Sequence, residues 1–365
     1  IHLLLLSLLI AVASCKQVSE SNDNKKVDSS SIKAELGMES IGSYQHDLAF
    51  LRKYMEIIEL SDDDGLARVA IAPALQGRVM TSSARSEGQS FGWLNYDLIA
   101  SGEIQEHFNP VGGEERIWLG PEGGQFSIYF KPGTSFEYEN WYVPKELDTE
   151  PFDVIDKSSS HVSFKKKMQL MNYSGTIFDV MVERTVRMLS KKQVADFIEM
   201  PLEEEIDLVG FETDNKLTNM GDRSWDEKSG MLSIWILSML NPSDHTYVIL
   251  PFKMGRESEL GKILTDYQFG GGEIPKDRLS ISEDKGVIIF KADGKSRGKI
   301  GVSPKRALPL AASYDSKNQV LTLAYFSLSD PCLLYTSPSP RDGTKDLVCR
   351  LLLEQGGGGG GGGGG

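Results

Sequence analysis

The residues best suited to chemistry lie in one short segment, 112–126. This segment places Arg116, Trp118, Glu122 and Gln125 around two pairs of glycines. Arginine, glutamate and glutamine make directed hydrogen bonds, and tryptophan offers a flat apolar face. A sugar presents hydroxyl groups at its rim and C–H groups on its ring faces. The segment therefore predicts a sugar site, although a turn beside a core tryptophan would have the same composition.

The spacing within this segment suggests a role for each residue. Arg116 and Trp118 are two positions apart, so on a strand their side chains share one face. Glu122 would then lie on the adjoining loop, where burial could raise its pKa and make it a general acid or base. The alternative is a structural pair between the arginine and the glutamate, next to a tryptophan of the core.

Other candidates lie outside the segment. His107, just upstream in a Pro-containing loop, is the histidine best placed to join a catalytic site, unless it only faces solvent. Asn219 and Trp225 form a second loop group whose amide and indole suit a sugar. Arg78 could line a pocket for an acidic sugar. No His, Asp and Glu residues have the spacing of a zinc site, so neither a metal nor another cofactor is expected.

Charge and motifs exclude several functional classes. The chain has 39 basic and 52 acidic residues, a formal net charge of −13. An acidic chain without a basic stripe argues against nucleic-acid binding. No Gly-x-Ser-x-Gly elbow, phosphate-binding loop or dinucleotide fingerprint is present.

The N-terminus predicts export and lipidation. Residues 3–13 form an apolar run, shorter than the roughly 20 residues of a membrane-spanning helix, so residues 1–14 are expected to be a signal peptide. Residues 12–15, Val-Ala-Ser-Cys, resemble the lipobox of bacterial lipoproteins, which implies acylation of Cys15 and an anchor in the cell envelope. Lys16 favours the outer membrane. Residues 15–42 follow the signal peptide and are expected to be the lipidated cysteine and a flexible tether, since polar residues predominate there.

The C-terminal residues 332–365 resemble a translated sequencing adapter followed by a glycine run. On this interpretation Cys332 and Cys349 are not native, which leaves Cys15 alone among the three cysteines. No disulfide is then expected in the domain.

Residues 43–331 predict one mostly β domain. A short helix is expected at 47–54 and another, capped by Ser190, at 190–200. Alternating apolar residues at 162–171 and 177–189 predict a pair of antiparallel strands. Further strands are expected at 57–60, 67–72, 77–82, 90–95, 116–119, 126–131, 231–240, 247–252, 286–291, 299–302 and 320–326. Many strands with little helix predict a large antiparallel sandwich or barrel.

Three blocks carry a family resemblance: residues 76–82 with 112–126, residues 213–235, and residues 303–306. Together they resemble an uncharacterised family of Gram-negative lipoproteins related to galactose-mutarotase-like proteins. The resemblance implies an antiparallel β-supersandwich with a short N-terminal helix. Aldose mutarotases use a histidine in an Asn-x-Leu-His-Gly-like segment and a glutamate near the C-terminus. This chain lacks the first motif, and the second would fall beyond residue 331, so neither residue can be assigned here.

The leading hypothesis is a lipid-anchored protein that binds or processes a carbohydrate, by aldose-epimerase-like chemistry in the second case. One alternative is a non-catalytic surface or periplasmic lipoprotein that binds a protein partner. Another is an enzyme like the polysaccharide lyases, in which Tyr, His and Arg converge on an acidic sugar. The sequence favours no particular oligomeric state.

Overall fold

The structure is a computed structural model that describes residues 42–265 and 273–328. It also describes the backbone of three short strands, at residues 2–3, 7–14 and 349–351. The expected tether and most of the expected adapter tail lie outside these described residues.

Strands dominate the fold, and helices are few and short. The α-helices are α1 (Tyr44–Tyr54), α2 (Tyr96–Ser101), α3 (Lys145–Asp148), α4 (Lys191–Ile198) and α5 (Glu257–Leu260). In α1 the hydroxyl of Ser43 accepts from the backbone N–H of His46. In α4, Ser190 and Gln193 form a reciprocal capping box. Within the described residues, no helix has the length and apolar character needed to cross a membrane.

The largest sheet is antiparallel and holds most of the strands. Its order is β14-β15-β12-β17-β18-β2-β10-β9-β8-β7, with β1 pairing to β10. These strands are β1 (His2–Leu3), β2 (Ser7–Ser14), β7 (Asp153–Lys157), β8 (His161–Met171), β9 (Ile177–Leu189), β10 (Asp207–Asn219), β12 (Thr246–Pro251), β14 (Leu279–Ser282), β15 (Val287–Lys291), β17 (Leu310–Asp315) and β18 (Val320–Phe326).

Three smaller sheets accompany it. They are β3-β4-β5, β11-β6 and β13-β16-β19. Their strands are β3 (Ile58–Ser61), β4 (Arg68–Ala72), β5 (Arg78–Ser83), β6 (Arg116–Gly120), β11 (Ser233–Leu237), β13 (Ile263–Leu264), β16 (Ile300–Val302) and β19 (Cys349–Leu351). The prediction of a mostly antiparallel β fold with a short N-terminal helix is confirmed.

The main core lies where β8, β9 and β10 meet the small sheets. Alternation in β9 sends Phe178, Val180 and Val182 into a cluster that also contains Ile71 of β4 and Ile117 of β6. Each fully buried side chain of this size contributes roughly 1.5–3 kcal/mol relative to an exposed one. A second cluster is built from residues in or beside β12, β15, β16 and β17.

The strand β2 occupies a central place in the large sheet. It pairs with Asp207–Asp214 of β10 on one side and with β18 on the other. The same residues belong to the expected signal peptide. Removal of residues 1–14 would leave the facing edges of β10 and β18 unpaired.

Two predicted strands are wrong, and one long strand was missed. Residues 126–131 form a compact loop that makes only an isolated bridge, and residues 90–95 likewise make only single bridges. The loop forms because the Ser127 hydroxyl donates to the carbonyl of Glu122 at 2.7 Å and folds the chain back on itself. The missed long strand is β10, in which polar Thr213 and Asn215 occupy buried positions. The shorter strands β7, β14 and β17 were not predicted either.

Candidate functional site

The strand β6 places Arg116 and Trp118 on one face, as the spacing predicted. The Arg116 guanidinium carbon lies 4.3 Å from the centre of the Trp118 ring. The same guanidinium donates to the carbonyl oxygen of Leu147 at 2.6 Å and lies 3.6 Å from Oδ1 of Asp148. Because β6 is covered by α3 and by β11, the Arg116 side chain is 0% exposed. The expectation that Arg116 binds a sugar is therefore wrong. Its side chain packs in the core and offers no atom to a ligand at the surface.

Arg78 is likewise enclosed. Its guanidinium donates to the carbonyl of Gly112 at 2.8 Å and to Oε1 of Gln76 at 3.1 Å. The chain can pass this closely because Gly112 and Gly113 have φ angles of +93° and +117°, which favour glycine. A Cβ on Gly113 would lie 2.4 Å from Cδ of Arg78. The glycine pair therefore accommodates the buried Arg78 side chain. The expectation that Arg78 lines an open pocket is wrong.

Two neighbouring carboxylates are buried beside these arginines. Glu115 forms an ion pair with Arg184, which also donates to Asn215 at 2.7 Å. Glu114 accepts from the Ser82 hydroxyl at 2.8 Å through one oxygen, whereas its other oxygen, Oε2, has no hydrogen-bond partner among the described residues. Burial raises the pKa of Glu114 to about 7, although the Ser82 hydrogen bond acts in the opposite direction.

Glu122 follows β6 in a tight loop near the surface. Its carboxylate lies 3.7 Å from the ammonium nitrogen of Lys299, and the two side chains are 14% and 5% exposed. Gln125 is exposed at the outer side of this loop. The loop thus presents a partly accessible carboxylate held beside a cation, a pair of groups able to exchange protons or bind hydroxyls.

A series of aromatic rings leads from Trp118 toward solvent. Trp118 stacks on Tyr129, with ring centres 5.7 Å apart and planes 15° apart. Tyr129 stacks in turn on Trp141, at 5.8 Å and 9°. The charge of Glu122 reaches this series, because burial first and Glu122 next raise the pKa of Tyr129 far above its usual value. Trp118 itself is only 2% exposed, so the ligand face expected of it is covered by other rings.

The outer end of the series is an aromatic surface formed by His107, Tyr138 and Tyr142. The His107 ring stacks on Tyr138 at 5.0 Å and 28°, and on Tyr142 at 4.4 Å and 24°. Tyr138 also stacks on Trp141, at 6.1 Å and 20°. Tyr138 is 55% exposed, and His107 and Tyr142 are half-buried. A nearly parallel, accessible set of rings of this kind suits the C–H face of a sugar.

Hydrogen bonds at this aromatic surface determine the tautomer of His107 and contribute to the raised pKa of Tyr142. Nδ1 of His107 lies 2.7 Å from the carbonyl oxygen of Trp141, which only accepts, so Nδ1 carries the proton and donates. The Nε2 atom is then the accepting nitrogen of the neutral ring. The Tyr142 hydroxyl donates to Glu106 at 3.4 Å, and burial together with this carboxylate raises the pKa of Tyr142. The Lys131 ammonium lies 5.9 Å from the Tyr142 ring centre.

The second predicted loop group has a structural explanation. The Asn219 amide donates to the carbonyl of Arg223 at 2.7 Å and its oxygen accepts from Gly221 at 3.0 Å. These bonds close the turn after β10. Trp225 is half-buried and packs edge to face on Phe178 at 5.7 Å. None of these partners belongs to the aromatic surface.

Sequence reasoning missed Tyr138 and Tyr142, although a signal was present. Residues 138–142 hold three aromatic side chains within five positions. Their significance depends on a short 3₁₀ turn, Tyr138–Asn140, that brings them beside His107. Across residues 42–265 and 273–328, no group of three or more His, Cys, Asp or Glu side chains could hold a metal ion.

Comparison with known proteins gives a family and a group of similar structures. Residues 42–345 match a family of unknown function, DUF6786, so the match continues past residue 331. Among curated proteins, none matches the chain in sequence.

Two of three similar solved structures are described as sugar epimerases or mutarotase-like proteins. One is a galactose mutarotase-like protein from Lactobacillus casei, with 12% identity over 74% of this chain and 87% of that chain, and a TM-score of 0.39. Another is an Escherichia coli K12 protein provisionally described as an aldose 1-epimerase, with 10% identity over 81% and 94% of the two chains and a TM-score of 0.41. A third is the protein Slr1438 from Synechocystis sp., with 13% identity over 81% and 91%, and a TM-score of 0.37.

Proposed function

The chain belongs to this family of unknown function, and from that premise we propose that it binds a saccharide at the aromatic surface formed by His107, Tyr138 and Tyr142. The observation that carries the proposal is the continuous stacking of these rings onto Trp141 and the core. Rings held in this way lose little conformational freedom when a ligand stacks on them. The surface is therefore organised before a sugar arrives.

Polar groups at the rim of the surface supply the directional contacts. Glu106 and Lys131 are exposed, and both lie close to Tyr142. A carboxylate accepts hydrogen bonds from sugar hydroxyls, whereas an ammonium donates to hydroxyls or to the carboxylate of an acidic sugar. Together with the rings, these groups match the two kinds of surface that a saccharide presents.

The binding test is saturation-transfer NMR with the Cys15→Ser variant, which cannot be acylated, against separate neutral and acidic sugars. We expect transfer to at least one sugar, and Tyr138→Ala should weaken that binding about five- to tenfold, the loss of one aromatic stack. Tyr314→Ala is the matched control, because Tyr314 is similarly exposed at 41% but lies on β17. Absence of transfer to every sugar, or an equal loss in both variants, would reject the proposal.

A second candidate function is acid–base processing of a sugar that reaches the loop after β6, with Glu122 as the proton-transferring group. It is favoured by the Glu122–Lys299 pair, in which a partly accessible carboxylate lies 3.7 Å from an ammonium nitrogen. Anomer exchange of aldoses can be followed by NMR. Glu122→Gln should lower its rate by about 10²-fold or more and leave binding intact. Binding without any exchange above the buffer rate would leave only the binding function.

The proposal includes location in the cell envelope. The apolar run and the Val-Ala-Ser-Cys sequence support acylation of Cys15 and an outer-membrane anchor. Expression in a Gram-negative host with an alkyne fatty acid should label the parent protein and leave Cys15→Ser unlabelled. Fractionation of the two membranes would then test the outer-membrane assignment. Label in both proteins, or in neither, would contradict the anchor.

A further inference from the structure

The hairpin between β7 and β8 holds a serine, a histidine and an aspartate in one hydrogen-bonded chain. The Ser158 hydroxyl oxygen lies 2.7 Å from Nδ1 of His161. The Nε2 atom of the same ring lies 2.8 Å from Oδ2 of Asp156. All three residues fall within six positions of the sequence, at the end of β7, in the turn and at the start of β8. None of them belongs to the aromatic surface described above.

The Asp156 carboxylate at one end of this chain determines the direction of each hydrogen bond in it. A carboxylate only accepts hydrogen bonds, so Nε2 of His161 carries a proton and donates a hydrogen bond to Asp156. In the neutral ring, Nδ1 is then an acceptor, and the Ser158 hydroxyl donates to it. The hydrogen bond from His161 holds the pKa of Asp156 below its usual value, which keeps the acceptor ionised. This is the arrangement in which an imidazole acts as general base toward a hydroxyl.

Backbone hydrogen bonds hold the turn in place. The Ser158 N–H donates to the carbonyl of His161 at 2.8 Å and closes the hairpin. The carbonyl of Ser159 accepts from Ser61 of β3, and that of Ser160 accepts from Met188 of β9, each at 2.8 Å. The turn is thus fixed to two neighbouring strands, so the serine and the imidazole are positioned before any substrate arrives.

The surroundings of Ser158 leave it open to a small reactant. Ser158 is exposed, and the His161 and Asp156 side chains are 35% and 66% exposed. The backbone nitrogens of Ser160 and His161 lie 3.2 and 3.1 Å from the Ser158 oxygen, and their N–H groups donate to it and hold it in place. On the same edge strand, Val154 and Ile155 are 39% and 55% exposed and provide apolar surface beside the turn.

We propose that Ser158 is an activated nucleophile that takes the acyl group of small carboxylic esters, with His161 as its general base and Asp156 as the positioning residue. The Ser158 oxygen forms a bond to the ester carbonyl carbon as its proton passes to Nδ1 of His161. The tetrahedral intermediate then breaks its bond to the alcohol oxygen, and the imidazolium returns the proton to that alcohol. The products are an acyl-serine and a free alcohol, and water hydrolyses the acyl-serine by the same proton route.

The probe for this step is p-nitrophenyl acetate with the full chain, followed by mass spectrometry of the digested protein. We expect release of nitrophenol and an acetyl group on Ser158. Ser158→Ala should lose the adduct, and His161→Gln should form it about a hundredfold more slowly, as expected for loss of a general base. Asp156→Asn should slow acetylation several-fold. The Asn amide can donate to Nε2 of His161 and favour the tautomer with its proton on Nδ1, which cannot accept the proton of Ser158. Asp156→Glu should restore much of the rate.

A matched control comes from the same turn. Ser159 is exposed, as Ser158 is, but its hydroxyl takes no part in the hydrogen bonds between Ser158, His161 and Asp156, so Ser159→Ala should leave the acetylation rate unchanged. Thermal unfolding of each variant confirms that the hairpin changes leave the fold intact. Acetylation of Ser158 at the rate of Ser159, or at the same rate in His161→Gln, would overturn the proposal.

Discussion

The Glu115 carboxylate and the Arg184 guanidinium form an ion pair with no solvent exposure, between β9 and the residue that precedes β6. The pair is completed by Thr213, whose hydroxyl donates to Glu115 at 3.2 Å, and by a bond from the Arg184 Nε to the carbonyl of Gly77 at 3.0 Å. One enclosed charge pair therefore connects the large sheet to the 112–126 segment. Its integrity determines whether that segment stays in place.

Glu115→Gln should destabilise the fold strongly. The change leaves the Arg184 charge buried without a counter-ion, which costs roughly 3–5 kcal/mol. Urea unfolding measures this loss directly. The control is Glu183→Gln, since Glu183 pairs with Lys216 at 3.1 Å while both side chains are about one-third exposed. Surface pairs contribute about 0–1 kcal/mol, so comparable losses in the two variants would contradict the structural role of the buried pair.

Glu114 should make stability fall as the pH rises through the neutral range. Its pKa is about 7 in the folded protein and 4.5 as the reference value, so between these limits the folded state binds more protons than the unfolded chain. The stabilisation is complete below pH 4.5 and is lost as the pH rises through about 7, a change of roughly 3 kcal/mol.

The measurement for Glu114 compares unfolding free energies at pH 5 and pH 8. The parent should lose stability over this interval. Glu114→Gln should lose roughly 3 kcal/mol less, because a neutral amide has no proton to release. An identical pH dependence in both proteins would show that Glu114 does not titrate in this range.

Gly112→Ala should disrupt the segment that carries the predicted site residues. Gly112 has φ of +93°, and a Cβ there would lie 2.2 Å from the carbonyl oxygen of Trp93, a backbone atom that cannot move aside alone. Strain of this kind costs about 1–3 kcal/mol before the clash is added. Gly123→Ala in the same segment is the control, because nothing lies within 4 Å of the added atom. Equal melting temperatures for the two variants would contradict this account of the turn.

A chain that begins at Lys16 should show faster amide exchange along two strands. Residues 7–14 pair with Asp207–Asp214 of β10 and with β18, and removal of β2 exposes those backbone groups to water. Hydrogen–deuterium exchange of the shortened and full chains measures the difference. The hairpin of β8 and β9 does not pair with β2 and is the internal reference. Unchanged exchange in β10 and β18 would show that β2 is not needed at that position.

Local patterns in the sequence determined the elements whose side chains alternate cleanly. The predicted pair 162–171 and 177–189 is present as β8 and β9, and the predicted helix and serine cap are present at α1 and Ser190. In each case the signal and the structure have the same cause, which is burial of apolar residues at a regular spacing or a side chain that binds a free N–H group.

Only the tertiary structure decided where the charged residues lie. Arg78 and Arg116 were expected to bind a ligand, yet among the described residues these two and Arg184 are the largest fully buried side chains. Their partners come from distant segments of the chain, so no local sequence pattern indicates that these arginines are buried. The strand β10 was missed for the same reason, because its inward-facing Thr213 and Asn215 are polar in order to bind Glu115 and Arg184. Hydrophobic periodicity detects apolar burial alone, whereas a buried charge is stable only beside partners that the completed fold brings to it.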